Sequence, residues 1–427
     1  MVETGMETKR AAAERPWLIV VLLALGQMIS FIDRTSLSSA LADHGFVHQF
    51  GLTSVERGWL SSAFFWSYGL MQMPMGWLVD RYGVKWPYAI CLGVWCAAAA
   101  ATGLVGTLPA LVMMRLLIGL AEGVVLPATY RYLANHFAEH QRGTALGIFS
   151  IGGKMGPALG GLIGAWLIVN HSWQAMFIAT GLAGLVWLWP WLTQVHNDYP
   201  SRDELATRAA QAAAVPLRSL LASPVIWGGL LNNFCYGYFY IYCMTWMPAY
   251  LVEQRGLTLK SSGVYTFFSF AGIAIVAALA GWAADRLIAR GHDPLRVRKS
   301  FIVTGFIGAT TVLLGAYAET LQMALLWNVV SLSLLGLVTA NNLALTKLTL
   351  IPQPAVGLST GLLQVATSLA GGVSASLSGW LLHISGSYAL PMQAIFVFLL
   401  LGAASTLLLF RRQWAPRMQT ASHVDPI

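Results

Sequence analysis

Five charged side chains stand inside long apolar runs: Asp33, Arg34, Arg115, Glu122 and Lys154. A charge held at mid-membrane depth costs about 2.5–3.5 kcal/mol or more, so each is a functional candidate by default. Their charges sum to +3 − 2 = +1. A surplus cation favours an anionic ligand. Carboxyl groups taken out of water bind protons more readily. The set points to coupled movement of an anion and protons.

Glu122 is the sharpest candidate for proton coupling. It lies mid-run in Arg115-Leu116-Leu117-Ile118-Gly119-Leu120-Ala121-Glu122-Gly123. Arg115 sits seven residues earlier, on the same helix face. A static Arg115–Glu122 charge pair that only holds helices together is therefore the alternative. Asp33 and Arg34 are adjacent, so on a helix they project about 100° apart. One can face a cavity while the other faces a neighbouring helix. The planar fork of Arg34 matches a carboxylate in two-point contact, which makes it a substrate-anion contact. Asp33 is its partner, a proton site, or both. Gly152, Gly156 and Gly160 recur every four residues and form a flat packing face. Lys154 points away from that face. It lines a cavity and binds an anion, or it pairs with Glu122 or Asp33; snorkelling to a helix end is the bland reading.

Such charges need a membrane-embedded frame, and the composition supplies one. The 427 residues are 57% hydrophobic and 10% charged, against about 25% charged in a soluble domain. That argues against a soluble enzyme, a disordered chain and a secreted disulfide scaffold. The net charge of +8 is too sparse for a nucleic-acid surface. Cys91, Cys96, Cys235 and Cys243 sit in apolar runs without metal-ligand spacing, and His44, His48 and His383 make no metal triad. No catalytic set, metal or cofactor is expected, and the chain is not read as an enzyme. Ala40-Leu41-Ala42 looks like a signal-peptide cleavage site, but Asp33-Arg34 would fall in its apolar region. The first span instead reads as an uncleaved insertion signal.

A membrane helix needs about 20 mostly apolar residues. Twelve such runs lie near 17–40, 57–79, 86–106, 108–130, 143–168, 173–194, 226–251, 261–283, 300–318, 322–346, 357–383 and 389–410. They are too long for barrel strands, so helices are expected. The expected organisation is a six-helix bundle over 1–195, a cytoplasmic linker over 196–225 with a short surface helix, and a second bundle with a short tail over 226–427. Even-numbered connections and both termini carry nineteen Lys and Arg; odd-numbered connections carry three, Arg57, Arg255 and Lys260. By the positive-inside rule both termini are cytoplasmic. The positive excess is thus topological.

The chain also repeats itself. Gly76-Trp77-Leu78-Val79-Asp80-Arg81 closes the second run, and Gly281-Trp282-Ala283-Ala284-Asp285-Arg286 closes the eighth, 205 residues later. Duplicated halves mark one large class of transporter. Glycine allows close helix approach, and Asp beside Arg can latch two helices, so Gly76, Asp80, Arg81, Gly281, Asp285 and Arg286 are gating candidates.

The segment Gly76 to Lys85 resembles the loop between spans two and three of the major facilitator superfamily. Phe31-Ile32-Asp33-Arg34-Thr35-Ser36-Leu37 resembles the first-span signature of its anion:cation symporters. So does Arg115 with Gly119 to Gly123, followed by Pro127, Arg131 and Phe137; Thr245-Trp246-Met247-Pro248-Ala249-Tyr250-Leu251 resembles that family's seventh-span ending. The resemblance covers essentially the whole chain. It implies an all-α polytopic membrane protein with twelve transmembrane helices in two pseudo-symmetric six-helix bundles. It further implies a monomer in the cell inner membrane that imports an organic anion, most closely a sugar acid, with protons. Asp33 and Glu122 match the proton-handling carboxylates, and Arg34 matches a substrate-cavity arginine. In the second half, Asn233, Tyr236, Asn341, Asn342 and Gln364 are candidates to hydrogen-bond substrate hydroxyls; Gln364 falls where related carriers have an amide. Buried interhelical hydrogen bonds are the alternative for each. Two departures stand out. Lys154 is a fixed cation that the family pattern does not predict. Gly156-Pro157-x-x-Gly160-Gly161 resembles a fifth-span motif of proton-driven exporters, which keeps an exporter or exchanger as the rival function.

Overall fold

The computed structural model describes residues 15–196, 199, 217–351 and 356–416. Among these there is no strand, and every one of the twelve apolar runs is helical. The helices of the first half are α1 (Pro16–Leu41), α2 (Ser54–Tyr82), α3 (Lys85–Thr102), α4 (Leu108–Glu122), α5 (Val125–His136), α6 (Glu139–Asn170), α7 (Trp173–Val186) and α8 (Leu188–Gln194). Those of the second half are α9 (Pro224–Thr245), α10 (Met247–Glu253), α11 (Leu259–Ala289), α12 (Pro294–Ala309), α13 (Val312–Ala316), α14 (Leu321–Ala344), α15 (Val356–Ser385) and α16 (Ala389–Leu409). Most of the expected linker lies outside the described residues; a short helix, Leu217–Leu221, lies near its end.

Among the described residues, nine helical segments are long and apolar enough to cross a membrane. The second, third and seventh runs are helical too, but α2 carries charges at both ends, α3 opens on Lys85 and Pro87, and α9 is rich in Tyr and holds two Asn. Large apolar side chains stand outward: Leu70 is 77% exposed and Met73 80%. Such a surface belongs against lipid. Pro74 and Pro157 lie inside α2 and α6, where water-facing helices rarely place proline.

The fourth run is not one smooth helix. It breaks after Glu122, where Gly123 and Val124 separate α4 from α5 and the Val124 N–H turns back to the Ala121 carbonyl. The seventh breaks at Trp246, just before Pro248.

Two compact units result. Among the described residues, the first holds those from 15 to 199 with 241–274 and 371–391; the second holds those of 217–240, 275–370 and 392–416. The first unit contains chain from both halves of the sequence repeat, the second only from the later half.

Glycine sets the packing of the first unit. A Cβ on Gly152 would lie 2.0 Å from the Ala24 carbonyl oxygen, one on Gly156 2.8 Å from that of Met28, and one on Gly160 2.9 Å from Ile32 Cα. The stripe expected on α6 therefore lies directly on a matching four-residue stripe of α1 backbone. Gly119 does the same for α4, its Cβ position 2.4 Å from the Phe64 carbonyl oxygen on α2. In the second unit, Gly305 and Gly308 of α12 pack on Leu334 and Val338 of α14, and the buried Asn232 amide donates to Thr406 Oγ1 at 2.7 Å.

Candidate functional site

Close packing of α1, α2 and α4 brings three polar side chains of the first unit together. Ser30 and Arg34 sit one turn apart on α1, so they share a face. Both reach Glu122 at the end of α4. Ser30 Oγ donates to Glu122 Oε2 at 2.7 Å, Arg34 Nε donates to the same oxygen at 2.9 Å, and Arg34 Nη2 lies 2.8 Å from it. Arg34 Nη2 also donates to Ser30 Oγ at 3.2 Å. Glu122 is wholly buried, and its Oε1 has no hydrogen-bond partner.

Three aromatic rings cage the arginine. Its guanidinium carbon lies 4.4 Å from the Phe31 ring centre, 4.7 Å from Phe64 and 4.8 Å from Tyr68. Phe64 and Tyr68 are one turn apart on α2 and stack on each other. Ring faces carry negative charge density, so the cage favours the cation and excludes water.

Asp33 and Arg115 stand apart from this pair. Asp33 is 2% exposed, and neither of its oxygens has a hydrogen-bond partner. The charges of Glu122, Arg115 and Arg34 all act on it. Arg115 is equally buried and leaves Nε and Nη2 without partners, with its guanidinium 5.7 Å from the Phe177 ring. The ion pair of Glu122 is thus made with Arg34, from a different helix, rather than within α4. An ionised carboxylate with no donor to hold it, away from water, bears the full desolvation cost.

Arg34, Ser38, Ser61, Phe64, Arg115 and Thr245 line a cavity of about 10 Å³. That is room for about one water, so a six-carbon acid does not fit in it. Lys154 is half-buried on α6.

In the second unit, Tyr236 shares a 3.0 Å hydrogen bond with Thr339 and stacks on Tyr240. Asn233 donates to the Gly229 carbonyl on its own helix at 2.8 Å. Asn341 donates to the Leu337 carbonyl at 3.0 Å and faces Arg298 at 3.5 Å. Asn342 is buried with its Oδ1 unpartnered, and Gln364 is half-buried on α15.

The repeated motif adopts the same local contacts twice. Arg81 lies 5.4 Å over the Trp77 ring, and Arg286 lies 5.4 Å over that of Trp282. Asp80 pairs with Arg131 at 3.5 Å, and Asp285 with Arg298 at 2.8 Å. Both aspartates are more than half exposed, so each pair contributes about 1 kcal/mol at most. The glycines do not act as expected. Nothing lies within 4 Å of a Cβ on Gly76, and Gly281 meets only Ala340 at ordinary contact distance. Close approach is carried by Gly119 and the α6 stripe instead.

The sequence profile of the Major Facilitator Superfamily matches residues 23–349. The chain belongs to that superfamily. A D-galactonate transporter of Escherichia coli O6:H1 is 28% identical over 419 residues, covering 92% of this chain and 95% of its own. A probable galactarate/D-glucarate transporter of Bacillus subtilis is 26% identical over 403 residues, 87% of each chain. The chain spans about half the length, 51%, of a probable chloroplastic anion transporter of rice that it matches at 28% identity over 68% of this chain. Among solved structures, an inward-facing, unoccupied bacterial homologue of the human lysosomal transporter Spinster superposes with a TM-score of 0.75 at 17% identity, covering 93% of this chain and 98% of the other. A D-xylose–proton symporter gives 0.71 at 14% identity, covering 94% and 98%. The major facilitator fold expected from the sequence is therefore the fold of this chain.

The sequence reading missed Ser30 as a partner of Glu122, and Phe31 and Phe64 as cage walls. Ser30 was legible as the residue one turn before Arg34. The rings were not, because the cage forms only when α1 meets α2.

Proposed function

We propose that this protein imports an organic anion, most closely a sugar acid, by proton symport through alternating access in the cell inner membrane. The Escherichia coli D-galactonate transporter and the probable Bacillus subtilis galactarate/D-glucarate transporter, both matched over most of their length, support an organic anion as cargo. The observation that carries the coupling is the Arg34–Glu122 pair, closed by Ser30 and caged by aromatic rings. One guanidinium serves either the carboxylate of Glu122 or that of a substrate. A proton on Glu122 removes the internal competitor and frees Arg34 for the incoming anion. Loss of that proton on the other side returns Arg34 to Glu122 and expels the anion. Asp33 is the second proton site. Lys154 is a further contact for the anion, and Asn233, Tyr236, Asn341, Asn342 and Gln364 contact its hydroxyls. One proton with a monoanion moves no net charge; two protons move one positive charge, worth about 2.3 kcal/mol per 100 mV. Both termini lie in the cytoplasm, and the chain works as a monomer.

The test is uptake into proteoliposomes under an inward proton gradient, with hexonates, hexarates and hexuronates as substrates. Accumulation of one acid, lost in Glu122→Gln, is the expected result. Gradient-driven loss of preloaded acid would convert the reading to export. The rival rests on the Gly156-Pro157 motif, yet Gly156 and Gly160 are occupied in packing α6 against α1, which explains them without an export mechanism.

A further inference from the structure

On the side of the odd-numbered connections, the first unit holds a triangle of polar groups, with Arg57 and Tyr388 buried and Glu253 reaching the surface. Arg57 Nη1 donates to Glu253 Oε1 at 2.6 Å, and Arg57 Nη2 to the Tyr388 hydroxyl at 3.2 Å. The Tyr388 hydroxyl in turn donates to Glu253 Oε2 at 2.7 Å. The Gln254 side chain accepts from the Tyr388 backbone N–H at 3.1 Å. The Arg57 guanidinium also sits 5.3 Å from the Trp246 ring, and Trp246 Nε1 donates to the Ala375 carbonyl at 3.1 Å. Arg57 is one of only three basic residues on that side of the chain and is 5% exposed.

We propose that Arg57, Glu253 and Tyr388 form a releasable latch that closes the non-cytoplasmic mouth of the transport path. This rests on the alternating-access reading above. Three observations separate a latch from a permanent tie. First, its members come from both halves of the repeat: Arg57 opens α2, whereas Glu253 ends α10 and Tyr388 precedes α16. Second, much of the surface beneath it is backbone and small residues, with the Phe65 and Trp66 rings seated on Gly371 and Gly372. Gly58 faces the Ala375 carbonyl, Gly379 faces that of Ser54, and Ser62 donates to the Gly372 carbonyl. Faces of small residues hold helices close with little interlocking of side chains, and the triangle adds the ion pair at this face. Third, a pocket of about 470 Å³, lined in part by Ser54, Gln254 and His383, lies against it. Glu253 is 26% exposed to that space, while the Arg57 side chain is 6% exposed. Water therefore reaches the ions as they part. A pair that must break repeatedly needs that, because separating two charges in a dry interior is far more costly.

Nitroxide labels at His48→Cys and Lys260→Cys, both exposed positions on this side, report the opening by pulsed electron resonance in the full-length protein. The four native cysteines are buried and escape labelling. Arg57→Gln and Glu253→Gln should each raise the ratio of long to short distances about tenfold, the loss of one charge-assisted hydrogen bond. The exchanged pair Arg57→Glu/Glu253→Arg should recover most of the short population. Tyr388→Phe keeps the ion pair and ring packing, so it folds even where Arg57→Gln does not, and should give a smaller shift of the same sign. If the single variants match the wild type while acid or a bound sugar acid still lengthens the distance, the latch is wrong and alternating access stands. If no variant or condition lengthens it, alternating access fails and the latch with it.

Discussion

Gly152 on α6 offers a direct test of the packing that places Arg34. A Cβ there would sit 2.0 Å from the Ala24 carbonyl oxygen, and real Cβ atoms essentially never come within 3.0 Å of another heavy atom. The obstacle is backbone on both sides, so no side chain can rotate away. Gly152→Ala must push α1 and α6 apart by about 1 Å locally. A gap of that size forfeits a quarter to a half of each dispersion contact it opens, and overpacking of this kind costs about 1–3 kcal/mol. Alanine's better helix propensity returns about 1 kcal/mol at most. Gly147, five residues earlier on the same helix, has nothing within 4 Å of its Cβ position. Gly147→Ala should therefore be neutral or stabilising by up to about 1 kcal/mol. Thermal unfolding of the two variants in one detergent, followed by tryptophan fluorescence, makes the comparison. Gly152→Ala should melt lower than the wild type and Gly147→Ala no lower. Equal melting temperatures, or a more stable Gly152→Ala, would refute the claim that backbone contact through this stripe holds α1 in place.

Further outcomes follow from the site and its frame. Ser30→Ala removes one of the donors to Glu122 Oε2 while leaving Arg34 in place, so it should alter the pH dependence of uptake and leave accumulation intact; an unchanged pH profile would remove Ser30 from the coupling. Arg34→Lys keeps the charge but loses the planar fork and its stacking in the cage, and should cut uptake more than tenfold at equal protein, as measured by initial rates. Asp80→Asn breaks a pair whose carboxylate is 54% exposed, and should lower stability by about 1 kcal/mol at most; a larger loss in thermal melting would show that the pair is more than a surface contact. Glu56 accepts bonds from the Thr53 backbone N–H and hydroxyl, which lower its pKa from the ordinary glutamate value. A depressed folded-state value means the stabilisation is fully present above the unfolded-state value and is lost as pH falls through the folded one. Acid should thus destabilise the wild type more than Glu56→Gln below the ordinary glutamate range, read as the difference in melting temperature between the two.

Much of the fold was legible because its signals are local. Length of apolar run, absence of strand periodicity and the spacing of Lys and Arg need no partner to be read. The repeat at Gly76 and Gly281 likewise announced two related halves, and its Arg-over-Trp contacts recur at one turn's spacing within each helix. The helix breaks were only half visible: Gly123 and Pro248 stand beside them, but so do many glycines and prolines in unbroken helix.

The sequence alone determined that the chain crosses a membrane many times, that it is duplicated, and that five charges inside it demand a purpose. These follow from composition and from periodicity along one chain. Only the tertiary structure decided which charges meet. Arg115 and Glu122 share a helix face, yet seven residues separate them along α4, about 10 Å of rise. Arg34 arrives from α1 because Gly152, Gly156 and Gly160 let α6 lie on that helix's backbone and Gly119 brings α4 against α2. Arg57 shows the same limit: in sequence it is a loop-edge cation, and only the approach of segments 196 and 331 residues away makes it the buried corner of a polar triangle. Which partner a charge finds is set by the distances between helices, and those depend on atoms that are absent, the missing side chains of glycine.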